Sequence, residues 1–254
     1  MKAPFPLVLL LFSFSCGLPL IAEEKESAEE APALWSPKVG DVWRYEVTME
    51  VTREAEIPAG EQVQVRETAD GIEIRYERED RYLGTEKVRK DEESWDAMEV
   101  KRAGIVKSID YLQIVPEAVF GRASREVPEN KGEEGEKEGR LSILAKPLLM
   151  VAAKSKAGDE WKVAGPENED GVVLFKRHFR CFGLEKVKVP AGEFEALRFE
   201  VIGVNGSIDV HREYWFVPQL GFIKEEKSYY SANQKLLEQK IELKKFLPAE
   251  APQE

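Results

Sequence analysis

Cysteine is almost missing from this chain: Cys16 and Cys181 are the only two in 254 residues. That excludes a disulfide framework, so a hydrophobic core has to hold the fold. Histidine is as scarce, with His178 and His211 alone. No Gly-x-Ser-x-Gly, His-Glu-x-x-His or glycine-rich phosphate loop occurs, so the motifs that present a nucleophile, a zinc ion or a nucleotide are lacking. The chain is therefore expected to need no cofactor and to be no enzyme. After residue 22 no apolar run approaches the roughly 20 residues of a membrane-crossing helix, and no transmembrane span is expected in the mature chain. Basic charge is short too. The 37 Lys and Arg face 48 Asp and Glu, a net charge of −11, which speaks against a broad basic face for nucleic acid.

What is present begins at the amino terminus. Met1-Lys2 precedes the weakly polar to apolar run Leu7 to Ser15, and Ala22 offers a small residue at which to cut. A basic start, about 7–15 apolar residues and a small cleavage residue make a secretory signal. Residues 1–22 are therefore expected to be a signal peptide, and the mature chain to reach the periplasm or the outside of the cell. Cys16, between Ser15 and Gly17, gives the alternative of a lipid-modified cysteine anchoring a lipoprotein. Three stretches are too polar to offset the entropy of ordering them. They are a flexible acidic linker at 23–34, an acidic insert at 129–139 and a disordered tail at 248–254.

Alternation dominates the rest. From Trp43 to Val51 every odd position is apolar and every even one polar, the pattern of a half-buried strand. Val63 and Val65, an Asp70-Gly71 turn, then Ile72, Ile74 and Tyr76 read as a hairpin. Further strands follow at Val187–Val189, Phe194–Val201, Ile208–Val217, Phe222–Tyr230 and between Leu236 and Phe246. Ile105 to Val119 reads as a short helix or irregular strands. Leu141 to Ala153, the most apolar mature stretch and broken by Pro147, reads as a buried strand or short helix, or as the floor or lid of an apolar pocket.

A repeat organises these strands. Lys38-x-Gly40-Asp41-x-Trp43-Arg44 matches Lys156-x-Gly158-Asp159-x-Trp161-Lys162. Gly-Asp makes a turn, and the tryptophan two residues on is the first core-facing side chain of the next strand. The expected fold is all-β and mainly antiparallel, a curved sheet or barrel-like domain at 35–247. Its two related halves lie at about 35–128 and 141–247.

Val187-x-Val189-Pro190-Ala191-Gly192-x-Phe194-x-Ala196 and Tyr214-Trp215-x-x-Pro218-x-x-Gly221-x-Ile223-Lys224 resemble a family of uncharacterised exported bacterial β-domains. These are in turn similar to the half-barrels of lipoprotein carriers. The resemblance implies a curved sheet and an envelope address. It implies no reaction and brings no catalytic residue.

Few side chains group into candidate sites. Asp209, His211 and Glu213 alternate along one expected strand and share a face, which suits a metal ion, a proton relay or simply water. His178 and Cys181 are three apart in a strand and point to opposite faces, and Cys181 reads as a small buried hydrophobe. Trp43, Trp161 and Trp215 either fill a core or line an apolar cavity. The expected role is non-catalytic: binding or carrying an apolar small molecule or lipid in the envelope. The alternatives are a module that holds an envelope protein through its strand edges, or a hydrolase using scattered carboxylates or Asp209, His211 and Glu213.

Overall fold

The computed structural model describes residues 33–52, 62–88, 94–128, 139–165 and 175–250. The expected signal peptide, Cys16, the first Pro-Ala-Gly turn at 58–60 and nearly all of the acidic insert lie outside them.

The described residues are all β. The strands are β1 (Val42–Val51), β2 (Gln64–Glu67), β3 (Ile72–Lys87), β4 (Ser94–Arg102), β5 (Ile105–Val115) and β6 (Ala118–Glu126). Then come β7 (Leu141–Ala152), β8 (Glu160–Ala164), β9 (Phe175–Val189), β10 (Gly192–Asn205), β11 (Ile208–Val217), β12 (Gly221–Ser231) and β13 (Gln234–Leu247). They form one sheet in the order β7-β6-β5-β4-β3-β1-β13-β12-β11-β10-β9-β8, with β2 added to β3.

That order is two six-stranded meanders laid side by side. One runs from β1 through β3 to β7, the other from β8 to β13, and the ladder between β1 and β13 joins them. Each half is therefore richer in strands than the sequence pattern indicated. Ile105 to Val119, which blurred between helix and strand, is the hairpin of β5 and β6 around Pro116.

The repeated Lys-x-Gly-Asp turns open the two meanders and match bond for bond. Asp41 accepts from the Lys38 amide at 2.7 Å, and Asp159 from the Lys156 amide at 3.0 Å. The Gly40 amide donates to the Tyr82 carbonyl and the Gly158 amide to the Cys181 carbonyl. Both glycines hold positive φ, +95° and +92°, a conformation that costs other residues about 1–2 kcal/mol. Gly84 and Gly183, also at positive φ, mark bulges at equivalent places in β3 and β9, where an extra residue bends the strand.

The sheet curves until side chains reach across to the edge strand β7, without closing. Trp161 Nε1 on β8 donates to the Leu149 carbonyl on β7 at 3.1 Å, and Tyr214 Oη on β11 donates to the Met150 carbonyl at 2.5 Å. Among the described residues no backbone ladder joins β7 to β8, so side chains bridge this seam where the other junction has β1 paired along its length. One core cluster packs on the concave side, joining Met98, Val119 and Val151 of the first half to Phe179, Phe199 and Phe216 of the second. Leu34 also belongs to it, within the stretch expected to be a linker. Ala249, in the expected tail, donates its amide to Asp41 at 2.7 Å. Leu141 to Ala153 forms an edge strand, the position in a sheet where Pro147 is tolerated.

Candidate functional site

The concave side is not filled from end to end. A cavity of about 540 Å³ remains, walled by strands of both halves. One part is apolar. Trp35 meets Trp43 edge-on at 5.7 Å and Phe222 at 6.1 Å, and Met98, Leu112 and Met150 complete the wall. The Trp43 indole donates to the Leu220 carbonyl at 2.7 Å, and the Tyr45 hydroxyl to the Phe222 carbonyl at 3.0 Å, so the rings are fixed by hydrogen bonds as well as packing.

The other part is charged, and strand parity puts it there. On β3, Ile74, Tyr76, Arg78, Asp80 and Tyr82 share the inward face; on β11, Val210, Arg212 and Tyr214 do. Glu225, Lys227 and Tyr229 continue the inward row on β12. Arg78 grips Asp80 with Nε and Nη2 at 2.7 and 2.8 Å. Arg212 Nη2 donates to Glu225 at 3.1 Å and lies over the Tyr214 ring, while Lys227 Nζ stands 3.3 Å from the same carboxylate.

These pairs set the titration of the wall. Burial works against the Arg78 charge, but Asp80 outweighs it and the guanidinium is held more firmly protonated than usual. Burial pushes the Asp80 carboxyl up in spite of Arg78. The pair shifts unevenly because Arg78 also attracts Glu225, whereas Asp80 is repelled by Asp110 and Glu225. Burial would raise Glu225 as well, yet Arg212, Lys227 and Arg78 pull it down to about 2. Arg177 moves the other way: burial, with Arg212 adding to it, lowers its pKa.

The tryptophans marked in the sequence separate. Trp43 stands on the cavity wall. Trp161 stacks on Phe179 at 5.0 Å beside the seam. Trp215 is on the outer face, between Arg198 and Lys224, with its indole donating to Glu185 at 2.6 Å. Trp35, on the chain segment before β1, takes the place in the cavity that Trp215 does not.

Asp209, His211 and Glu213 do not gather as a trio. His211 Nε2 lies 3.2 Å from Glu200 of β10 and 4.0 Å from Glu213. The groups within reach of one ion are thus Glu200, His211 and Glu213, without Asp209. Glu213 already accepts two bonds from Arg198, at 3.0 and 2.8 Å. The cluster faces away from the cavity, since Val210 and Arg212 on the same strand face into it. His178 pairs with Glu160 at 3.1 Å. Cys181 is fully buried, and burial pushes its thiol up.

No protein-family model and no curated protein matches this sequence. Among solved structures, a candidate exported protein with a YmcC-like fold from Bacteroides fragilis is 11% identical with a TM-score of 0.43, over 85% of this chain and 100% of its own. A candidate lipoprotein from Parabacteroides distasonis is 10% identical with a TM-score of 0.38, over 86% of this chain and 100% of its own.

Proposed function

We propose that this chain is an exported binding protein that holds an amphipathic small molecule in its concave cavity and does no chemistry on it. The cavity carries this reading. Its volume of about 540 Å³ lies within the roughly 300–1,000 Å³ typical of small-molecule sites, which are mostly apolar with a few placed polar groups. Trp35, Trp43 and Phe222 would take an apolar body, and the charged wall a polar end. The amino-terminal pattern of Met1-Lys2, Leu7–Ser15 and Ala22 supports an envelope address.

Native mass spectrometry of the protein purified gently from its own envelope fraction tests this. A reproducible adduct, released and identified under denaturing conditions, is the expected result. A bare mass that persists after challenge with lipids would overturn the binding role. The same spectrum reports whether the chain starts at Glu23 or carries acyl mass on Cys16.

A further inference from the structure

We infer that the polar end of this cavity is an oxyanion site, in which Arg177 and Arg212 take the carboxylate or phosphate head of an amphiphile. The inference rests on the cavity being a binding site and names the class of its ligand.

The charge of the wall runs against the charge of the chain. Leaving aside Lys224, whose ammonium lies over the outward-facing Trp215, six Arg and Lys line the cavity against three Asp and Glu, in a protein whose net charge is −11. The three acids are already engaged. Asp80 is held by Arg78 through two bonds, Asp110 accepts from the Ser124 hydroxyl at 2.7 Å, and Glu225 is shared by Arg212 and Lys227. None of the three pairs with Arg177 among the described residues.

Arg177 has no carboxylate partner among the described residues. Its Nη1 donates to the Lys176 carbonyl at 3.0 Å and to the Val204 carbonyl, which fixes the guanidinium and leaves its other nitrogens without a described partner. Arg212 keeps Nε buried and unpartnered. Both side chains line the same cavity, where Tyr229 favours the charge of Arg177 and Arg212 disfavours it. A fold held together by its core gains nothing from a guanidinium left without a counter-charge in a partly desolvated space. An anion taken by Arg177 and Arg212 removes the repulsion and supplies both with acceptors, and the planar guanidinium suits carboxylate and phosphate oxygens.

On β10 the residue between Arg177 of β9 and Val210 of β11 is Gly203, and Arg212 stands beside Val201. Tyr229, paired with Val210 across β12, adds a hydroxyl to the same end of the wall.

Calorimetric titration of the full chain with dodecanoate, dodecyl phosphate, dodecanol and dodecyltrimethylammonium tests the assignment. Dodecanoate and dodecyl phosphate are expected to bind about tenfold or more tightly than dodecanol, with an affinity that falls as salt rises. Arg177→Met should bring the anions to within about threefold of dodecanol while leaving dodecanol binding unchanged. Arg212→Met combined with Glu225→Gln should do the same without stranding a charge, should the first variant fail to fold. Equal binding of dodecanoate and dodecanol, unaffected by either variant, overturns the oxyanion site but leaves the cavity a binding site. Binding of none of the four overturns the binding role itself. Preference for the ammonium overturns the sign of the site. Inorganic phosphate that displaces dodecyl phosphate at equal concentration assigns the site to a free oxyanion and overturns the amphiphile.

Discussion

Arg212 and Glu225 meet at 3.1 Å on adjacent strands, with both side chains on the wall of the cavity. The Glu225 carboxyl is pulled to about 2 in the folded chain, against about 4.3 for a free glutamate. A lowered pKa means that folding favours the ionised form. Its contribution is complete above the unfolded value and is lost as pH falls from there towards about 2. Urea unfolding of the wild type and Glu225→Gln is expected to show a stability gap that narrows by roughly 2 kcal/mol between about pH 6 and about pH 3. Asp80, whose carboxyl is raised and acts in the opposite sense, loses the repulsion of Glu225 in the variant and so offsets part of the narrowing. A gap that does not move with pH would rule out the charge of Glu225 as its source.

Asp41 and Asp159 hold equivalent turns under unequal cover. Asp41 is 5% exposed and accepts from both the Lys38 and Ala249 amides, whereas Asp159 is half-buried and accepts from the Lys156 amide. Asp41→Ala leaves two donors short of an acceptor and should cost about 2–3 kcal/mol; Asp159→Ala should cost about 1 kcal/mol or less. Chemical denaturation midpoints compare them directly, and equal losses would contradict the role given to burial.

Gly221 carries a similar test of the apolar end of the cavity. Its φ is +98°, and a Cβ there would stand 2.9 Å from the Trp35 ring. Gly221→Ala combines backbone strain with overpacking and should lose about 2 kcal/mol or more. Trp35 must shift to admit the methyl group, so tryptophan emission should change in the native state, before any unfolding. Unaltered emission together with wild-type stability would mean that the ring is not packed against this turn.

The seam between β7 and β8 calls for a local measurement. Trp161→Phe keeps the stacking on Phe179 and removes the bond to the Leu149 carbonyl. Global stability should fall by only about 1 kcal/mol, while hydrogen exchange in β7 rises well above that in β1. A uniform rise across the sheet would show that the seam opens only when the whole domain unfolds.

Much of the fold was readable because hydrophobic alternation reports which face of a strand is covered. The stretch from Trp43 to Val51 and the duplicated Gly-Asp-x-Trp turns led directly to β1, β8 and the two halves. β5 and β6 blurred because most of their side chains are only half-buried, so neither face stands out. The charged wall escaped for a related reason. Arg78, Asp80, Arg212, Glu225 and Lys227 keep the parity of the apolar residues around them, and an alternation read for hydrophobes alone assigns such positions to water. The signal was there in Tyr76-x-Arg78-x-Asp80-x-Tyr82 and Val210-x-Arg212-x-Tyr214, where charges interrupt an inward row. The seam left no trace at all, since it depends on a ladder that is not made.

The ladder that is made, between β1 and β13, sets Val42 beside Leu247, so the two ends of the domain lie next to one another. The link from β7 to β8, at 153–159, is short and largely exposed. A gene rearranged to run from β8 to β13, through a short linker, and on from β1 to β7 would retain every strand pairing of the sheet. It would also turn the most distant ladder in the chain into a local hairpin, which should speed folding by lowering contact order. The natural order defers the central pairing of the sheet until the final strand is available, so the first strand of the domain waits for the last.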